Sequence, residues 1–342
     1  MRIEATAPGK LVLLGEYAVL EGAPALVLAV NRRARATLTR LTGDACEIVS
    51  KTLGQIARGH LLPGGGVCWD RQGPAELGWI DVLLKSKLLG SGQAAGFRAE
   101  LDTDGFYVTH DGQHIKLGLG SSTALITAFA SALRTLAEQP KLSMTKLIDL
   151  HRAIQDGRGS GIGVAAALRG GLSGYRTGGR RPQSKTLHIP DGLHWCVVFT
   201  GKAVSTVAML AALADWRVHH PRDYARRIRE LSRIAADGVE AVVRNNAGAF
   251  LESLKLYAQA LAQLGSASGV DIASREHREL TEIAAGCGSV YKSCGAGGGD
   301  IGITFDTDER HLQEFKRQAG KAGFDVLEMG QDSQGLEVEF NA

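Results

Sequence analysis

The 342-residue sequence has few aromatic residues, 6% of the chain, and no stretch reaches the roughly 18 consecutive apolar residues of a membrane-spanning helix. No membrane partner is expected. Five cysteines, Cys46, Cys68, Cys196, Cys287 and Cys294, form neither a CxxC pair nor the cysteine and histidine spacing of a zinc site. An odd count without such spacing fits reduced thiols and a cytoplasmic protein. The opening MRIEATAPGK lacks the basic segment and apolar stretch of a secretory leader. Neither sign of charge dominates: 39 Lys and Arg stand against 36 Asp and Glu, a formal net charge of +3. That excludes a global field suited to nucleic acid and leaves a small anionic ligand compatible.

Glycine is abundant, with 44 residues beside a hydrophobic content of 44%. Length and apolar content support two domains, and the glycines point to tight turns and close backbone approaches. Residues 2–7, 25–30, 34–41 and 46–50 read as strands, with an apolar run over 11–20 broken at Gly15 and Glu16. A helix is predicted over 75–89. Residues 97–101 and 106–109 bracket DTDG, which reads as a hairpin turn. Helices follow over 122–138, 145–155 and 164–168. The polar, basic stretch GGRRPQSK at 178–185 marks the expected boundary between domains of residues 1–182 and 183–342. The second half opens on a strand over 194–200 and runs through helices over 206–216, 221–245, 249–264 and 274–286. It closes with strand, helix and strand after a glycine cluster. The expected fold class is α+β in both halves.

The stretch KLGLGSSTAL, residues 116–125, sets two glycines and two serines ahead of a long apolar run. The first N–H groups of a helix lack intrahelical acceptors, and the aligned peptide dipoles place partial positive charge there, so a phosphate is stabilised. Gly118 and Gly120 let the backbone approach phosphate oxygens, while Ser121 and Ser122 can cap the helix, donate to phosphate or ligate a metal. Alone, such a stretch also fits an ordinary helix start. Two more glycine-bearing segments shift the balance: APGKLVLLGEYAVLEG at 7–22 and CGAGGGDIG at 294–302. Phosphoryl transfer needs phosphates cradled, their charge neutralised by Mg²⁺ or lysine, and an acceptor held in line, tasks the three segments can divide. The spacing is not the GxxxxGKS or GxxxxGKT of a Walker P-loop.

Together the three segments resemble the GHMP kinase superfamily, named for galactokinase, homoserine, mevalonate and phosphomevalonate kinases, over residues 7–305. The resemblance implies an N-terminal domain like the second domain of ribosomal protein S5 and a ferredoxin-like C-terminal domain, with the active site between them. It also implies ATP and Mg²⁺ as cofactors, and it allows a homodimer. It sets the ATP phosphates against Gly118, Gly120, Ser121, Ser122 and Thr123, with Ser121 approaching Mg²⁺. Lys10 and Ser160 take the catalytic positions. Implied substrate contacts are Glu16 and Tyr17 of GEY, Gln155 and Arg158, Lys202, Ser205 and Thr206 of TGKAVST, and Lys292, Gly297, Gly298 and Asp300 of KSCGAGGGD. The segments GEY, TGKAVST and GGGD are similar to those of bacterial phosphomevalonate kinases, which implies phosphorylation of 5-phosphomevalonate in isoprenoid synthesis. Mevalonate kinase, and a silent ligand-binding protein of the same fold, are the alternatives.

One position departs from that pattern. The family's SGxDVAA segment reads Ser160-Gly-Ile-Gly163-Val-Ala-Ala here, so glycine stands where the aspartate that accepts or orients the acceptor's proton is expected. Glycine can do neither. The role is dispensable, relocated or lost. A largely dissociative transfer asks mainly for positioning and charge stabilisation, and an acceptor phosphate is already ionised at neutral pH. Asp156 is the nearest carboxylate in sequence, and His151, Arg152, Arg158 and Arg169 flank the segment with positive or titratable groups.

Overall fold

The computed structural model describes residues 1–341 apart from 72–74, 87, 90–95, 156 and 178–180. Asp156 and part of the expected domain boundary therefore lie outside the described residues. The chain opens with two long antiparallel strands, β1 (Arg2–Leu14) and β2 (Ala25–Arg40). The two strands expected over 25–41 are one. Its first half, ALVLAV, is buried throughout, and in its second half Ala34, Ala36 and Leu38 face the core while Arg35 and Thr39 are exposed. Then come β3 (Ala45–Ser50), β4 (Gln55–Leu61), β5 (Val67–Trp69), α1 (Gly78–Lys85), β6 (Phe97–Asp102), β7 (Tyr107–His110) and β8 (Gln113–Lys116). DTDG does not fold β6 back onto β7. Both edges of β6 are taken, by β2 and β3, and a 3₁₀ turn over Asp104–Phe106 carries the chain out of the sheet to a separate β7–β8 hairpin.

The first half continues with α2 (Ser121–Leu136), α3 (Met144–Ile154), α4 (Ile162–Arg169), β9 (Leu172–Arg176) and β10 (Gln183–Leu187). The strand order is β10-β9-β2-β6-β3-β4-β5, with β1 paired to β2. α2 packs on β1 and β2. Its Ala124, Ala128, Ala130 and Ala132 are buried, and such small side chains let the helix approach the sheet closely enough to fix where its N-terminus opens.

The second half runs β11 (His194–Phe199), α5 (Thr206–His219), α6 (Pro221–Val243), α7 (Ala247–Ser268), α8 (Arg275–Gly286), β12 (Val290–Ser293), β13 (Ile301–Asp306), α9 (Glu309–Lys321) and β14 (Asp325–Leu327). These strands form an antiparallel sheet in the order β12-β13-β11-β14, a β-α-β-β-α-β succession of ferredoxin-like kind. The last strand, β15 (Glu337–Asn341), returns to pair with β1. Ahead of it Asp332 meets Arg33 at 2.5 Å and accepts the Gly171 N–H at 2.6 Å. The expected division at 182/183 thus does not follow the sheets, because β10 and β15 both belong to the first. Among the described residues no helix is long and apolar enough to cross a membrane.

Candidate active site

α2 starts from Gly120, which takes φ 77°, and no side chain caps the helix. The serines expected as caps do otherwise: Ser121 is buried and Ser122 is exposed. The first-turn N–H groups are thus left to an outside acceptor. Gly118 also has positive φ, 64°, and a Cβ there would run into the Asp300 carboxylate. A Cβ on Gly120 would lie 3.3 Å from Lys10 Cε. Both glycines therefore admit charged side chains of the protein to the helix mouth.

Lys10 reaches this point from β1, whose backbone is tied to the loop by Lys10 N–H donating to Leu119 O at 2.9 Å. Its Nζ lies 4.0 Å from the Cβ position of Gly295, so the side chain bridges the glycine loops of the two halves. Burial pulls the Lys10 ammonium below its ordinary pKa, while Glu16 and Asp300 oppose that. Asp300 has φ 58°. It accepts the Val204 N–H on Oδ1 at 3.2 Å and donates its own N–H to Lys202 O at 2.6 Å. Burial raises the Asp300 carboxyl, against the Val204 N–H and the ammonium groups of Lys10 and Lys116. Asp300 thereby joins the GLGSST, TGKAVST and GGGD segments. Lys202, Ser205 and Thr206 are exposed on the same rim, and Ser205 caps α5 by accepting the Ala208 N–H at 3.3 Å. Sequence reasoning assigns no role to Lys116, although it opens the KLGLGSST stretch.

Five of the implied substrate contacts turn inward. Lys292 was expected to meet an anionic substrate, yet it is 1% exposed and its ammonium pairs with the Glu16 carboxylate. Lys292 also donates to Ser293 O at 2.5 Å and lies 5.6 Å from the Tyr257 ring centroid. Glu16 is spent in the same pair. Burial pushes its carboxyl above the ordinary value, and the ammonium beside it opposes that. Gly297 and Gly298 pack on the protein's own backbone: a Cβ on Gly297 would strike Ile272 O, and Gly298 N–H donates to that oxygen at 2.9 Å. Tyr17, also offered as a substrate contact, donates its hydroxyl to Ala296 O at 2.5 Å. Tyr257 donates to Glu16 O at 2.8 Å. The turn after β1 is thus moored to the third glycine cluster through Ala296 and Lys292, and to α7 through Tyr257.

Ser160, Gln155 and Arg158 lie on the segment leading into α4, ahead of Gly163. Ser160 Oγ accepts the Ile162 N–H at 3.3 Å, which starts α4, and Ser160 O accepts from the Tyr175 hydroxyl at 2.6 Å. Gln155 and Arg158 are exposed on the loop before it. Arg152 holds that loop by donating to Gly159 O at 3.0 Å. Gly163 itself borders Thr123 of α2, and Thr123 contacts His151.

Behind the third cluster lies His277, 3% exposed, with Nε2 2.9 Å from Gly299 O and Nδ1 2.8 Å from the Tyr291 hydroxyl. Gly299 O accepts only, so Nε2 carries the proton and Nδ1 accepts from tyrosine. Burial pulls this imidazole down to about 4. A folded-state pKa below the unfolded value gives stability that is full above the unfolded value, near 6.5, and lost as pH falls toward 4. We expect denaturant unfolding to show a loss of about 3 kcal/mol between pH 7 and pH 4, with that slope reduced in His277→Gln. Equal slopes in the two proteins would refute the assignment.

Residues 88–171 match the family described as GHMP kinases N terminal domain. The chain is 27% identical to the phosphomevalonate kinase of Streptomyces sp. strain CL190, over 92% of this chain and 94% of that one. It is 28% identical to the mevalonate kinase of Aeropyrum pernix, over 93% and 94% of the two chains. Among solved structures, Streptococcus pneumoniae phosphomevalonate kinase in complex with phosphomevalonate and AMPPNP superposes with a TM-score of 0.76, at 20% identity, over 96% of this chain and 99% of that one. The uncapped helix mouth and the lysine between two glycine loops agree with these likenesses: residues 88–171 match the GHMP kinases N-terminal domain, and nearly the whole chain is similar to phosphomevalonate and mevalonate kinases.

Proposed function

We propose that this protein transfers the γ-phosphoryl group of ATP to the phosphate of 5-phosphomevalonate, giving mevalonate diphosphate and ADP. The observation that carries this reading is Lys10, whose side chain lies between Gly120 at the open end of α2 and Gly295 of the facing loop. An anion at that helix mouth meets free N–H donors from one side and an ammonium from the other. The N–H groups hold the phosphates, and Lys10 offsets the charge that moves as the γ-phosphoryl leaves. Among the described residues no three His, Cys, Asp or Glu side chains gather as a metal cage. The oxygens of Ser121 and Asp300 at the loop fit magnesium, a hard cation that keeps phosphate and water ligands. When bound, magnesium neutralises phosphate charge.

Gly163 supports a phosphate as the acceptor. A hydroxyl acceptor must lose a proton, for which position 163 offers no base, whereas a phosphate oxygen is already ionised. The phosphomevalonate bound in the Streptococcus pneumoniae complex supports the same acceptor. Steady-state ADP release with Mg-ATP tests the proposal, with 5-phosphomevalonate and mevalonate compared side by side. Faster release with phosphomevalonate is expected. A preference for mevalonate would overturn the acceptor, and no release with either would overturn the assigned reaction.

A further inference from the structure

The place where the family pattern puts an aspartate faces a hydroxyl in this chain. A Cβ on Gly163 would lie 3.1 Å from Thr123 Cγ2 and 3.3 Å from Thr123 Oγ1. Thr123 stands in the first turn of α2, beside the open N-terminus, and its Oγ1 is 2.9 Å from His151 Nε2. His151, on α3, is 7% exposed, and its Nδ1 has no hydrogen-bond partner among the described residues. Burial, reinforced by the neighbouring Arg152 guanidinium, keeps this imidazole below its ordinary pKa and therefore neutral near pH 7.

A neutral imidazole carries one ring proton. On Nδ1 that proton would be a buried donor with no acceptor, and Nε2 would consume the threonine's own proton. On Nε2 it donates to Thr123 Oγ1, leaves only a lone pair unmet at Nδ1, and frees the threonine O–H to donate outward. Buried donors without partners are rarer than under-satisfied acceptors, which favours the second arrangement.

We infer that His151 is a positioning residue, protonated on Nε2, that turns the Thr123 hydroxyl toward the Gly163 gap to donate to an anionic oxygen of the reacting phosphates. This rests on the phosphoryl-transfer reading above. The step balances without a base. An ionised oxygen of the acceptor phosphate bonds to the γ-phosphorus, the bond from that phosphorus to the β,γ-bridging oxygen breaks, and ADP leaves with the electron pair. No proton moves at the acceptor. A donor in this place holds an anion, and it cannot deprotonate an alcohol, so the pair also selects phosphate acceptors over hydroxyl acceptors.

Two measurements test this. In protein labelled with ¹⁵N-histidine, the ring resonances of His151, identified by their loss in His151→Gln, are expected to show the Nε2–H tautomer. The Nδ1–H tautomer would overturn the inference whatever the substrate. In steady-state assays with Mg-ATP and phosphomevalonate, Thr123→Val and His151→Leu are each expected to lower kcat by about 100-fold, the order found for loss of one transition-state donor. KM for the acceptor should stay within about threefold, since the interaction is made in the transition state. The combined variant should be no slower than the slower single one, because both remove the same contact. Thr123→Ser and His151→Gln should recover most of the rate. A Thr123→Val protein at full rate, or losses that multiply in the combined variant, would overturn the role of the pair. If the unmodified protein leaves phosphomevalonate untouched, the functional reading falls, and the tautomer still decides the hydrogen bond on its own.

Discussion

Lys10→Met is expected to lower kcat for ADP release by about a thousandfold while leaving the melting temperature unchanged or slightly raised. The ammonium is the one cationic group that the structure sets between Gly120 and Gly295 among the described residues. Removing a donor or charge that stabilises the transition state costs about 10²- to 10³-fold, and a charged group belongs at the upper end. Stability should respond in the other direction. Burial already disfavours the charged ammonium, so an apolar chain of similar length relieves a desolvation cost. Glu16 keeps its counter-charge in Lys292. Lys10→Arg should fail to rescue, because Lys10 Cε is already 3.3 Å from the Cβ position of Gly120 and a planar guanidinium does not fit that gap. Kinetics and thermal melting on the same preparations check both halves. A Lys10→Met protein within tenfold of the unmodified rate would remove Lys10 from the mechanism.

The parts of this site that are legible in the sequence are local. Gly118, Gly120 and the apolar run after Ser122 announce a helix start, and the structure supplies the open N-terminus that such a start can give. Gly163 is legible because a missing carboxylate needs no geometry to notice. What sequence leaves dark depends on partners far along the chain. Glu16 and Lys292 are 276 positions apart, and nothing near either one says that each neutralises the other. Glycine density at 295–299 signals close approach but not what approaches, and at Gly297 it is the backbone of Ile272. DTDG reads as a hairpin turn because turn chemistry is local, whereas the edges of β6 are claimed by β2 and β3 from elsewhere in the chain. The two strands expected over 25–41 err for a related reason: Asn31 to Arg33 look like a polar break, but β1 pairs with β2 as far as Val30 and again from Arg33, so Asn31 and Arg32 form an irregularity inside one continuous strand.

The Glu16–Lys292 pair yields the largest expected change in stability. Its two side chains are 3% and 1% exposed, and it joins the turn after β1 to β12 of the second sheet. Breaking such a pair by removing one partner costs about 3–5 kcal/mol, because the other charge stays buried without compensation. Lys292→Met and Glu16→Gln should each lose about that much in denaturant unfolding, and in Lys292→Met the loss should depend on pH. In Lys292→Met the stranded group is a carboxyl already pushed upward by burial. A folded-state pKa above the unfolded value gives stability that is full below the unfolded pKa and lost as pH rises through the folded one, so the deficit grows from pH 5 to pH 8. In Glu16→Gln the stranded group is the Lys292 ammonium, left buried without its counter-charge. Combining Glu16→Gln with Lys292→Met removes both charges and should recover most of the loss, since a buried ion pair and an apolar replacement of similar volume are often equally stable. A deficit in Lys292→Met that does not change with pH, or a combined variant as unstable as the sum of both, would show that the pair does not act as a unit. Tyr17 and Tyr257 still moor the turn in the combined variant, through Ala296 O and Glu16 O, so Lys10 should keep its place between the loops and turnover should survive the loss of both charges.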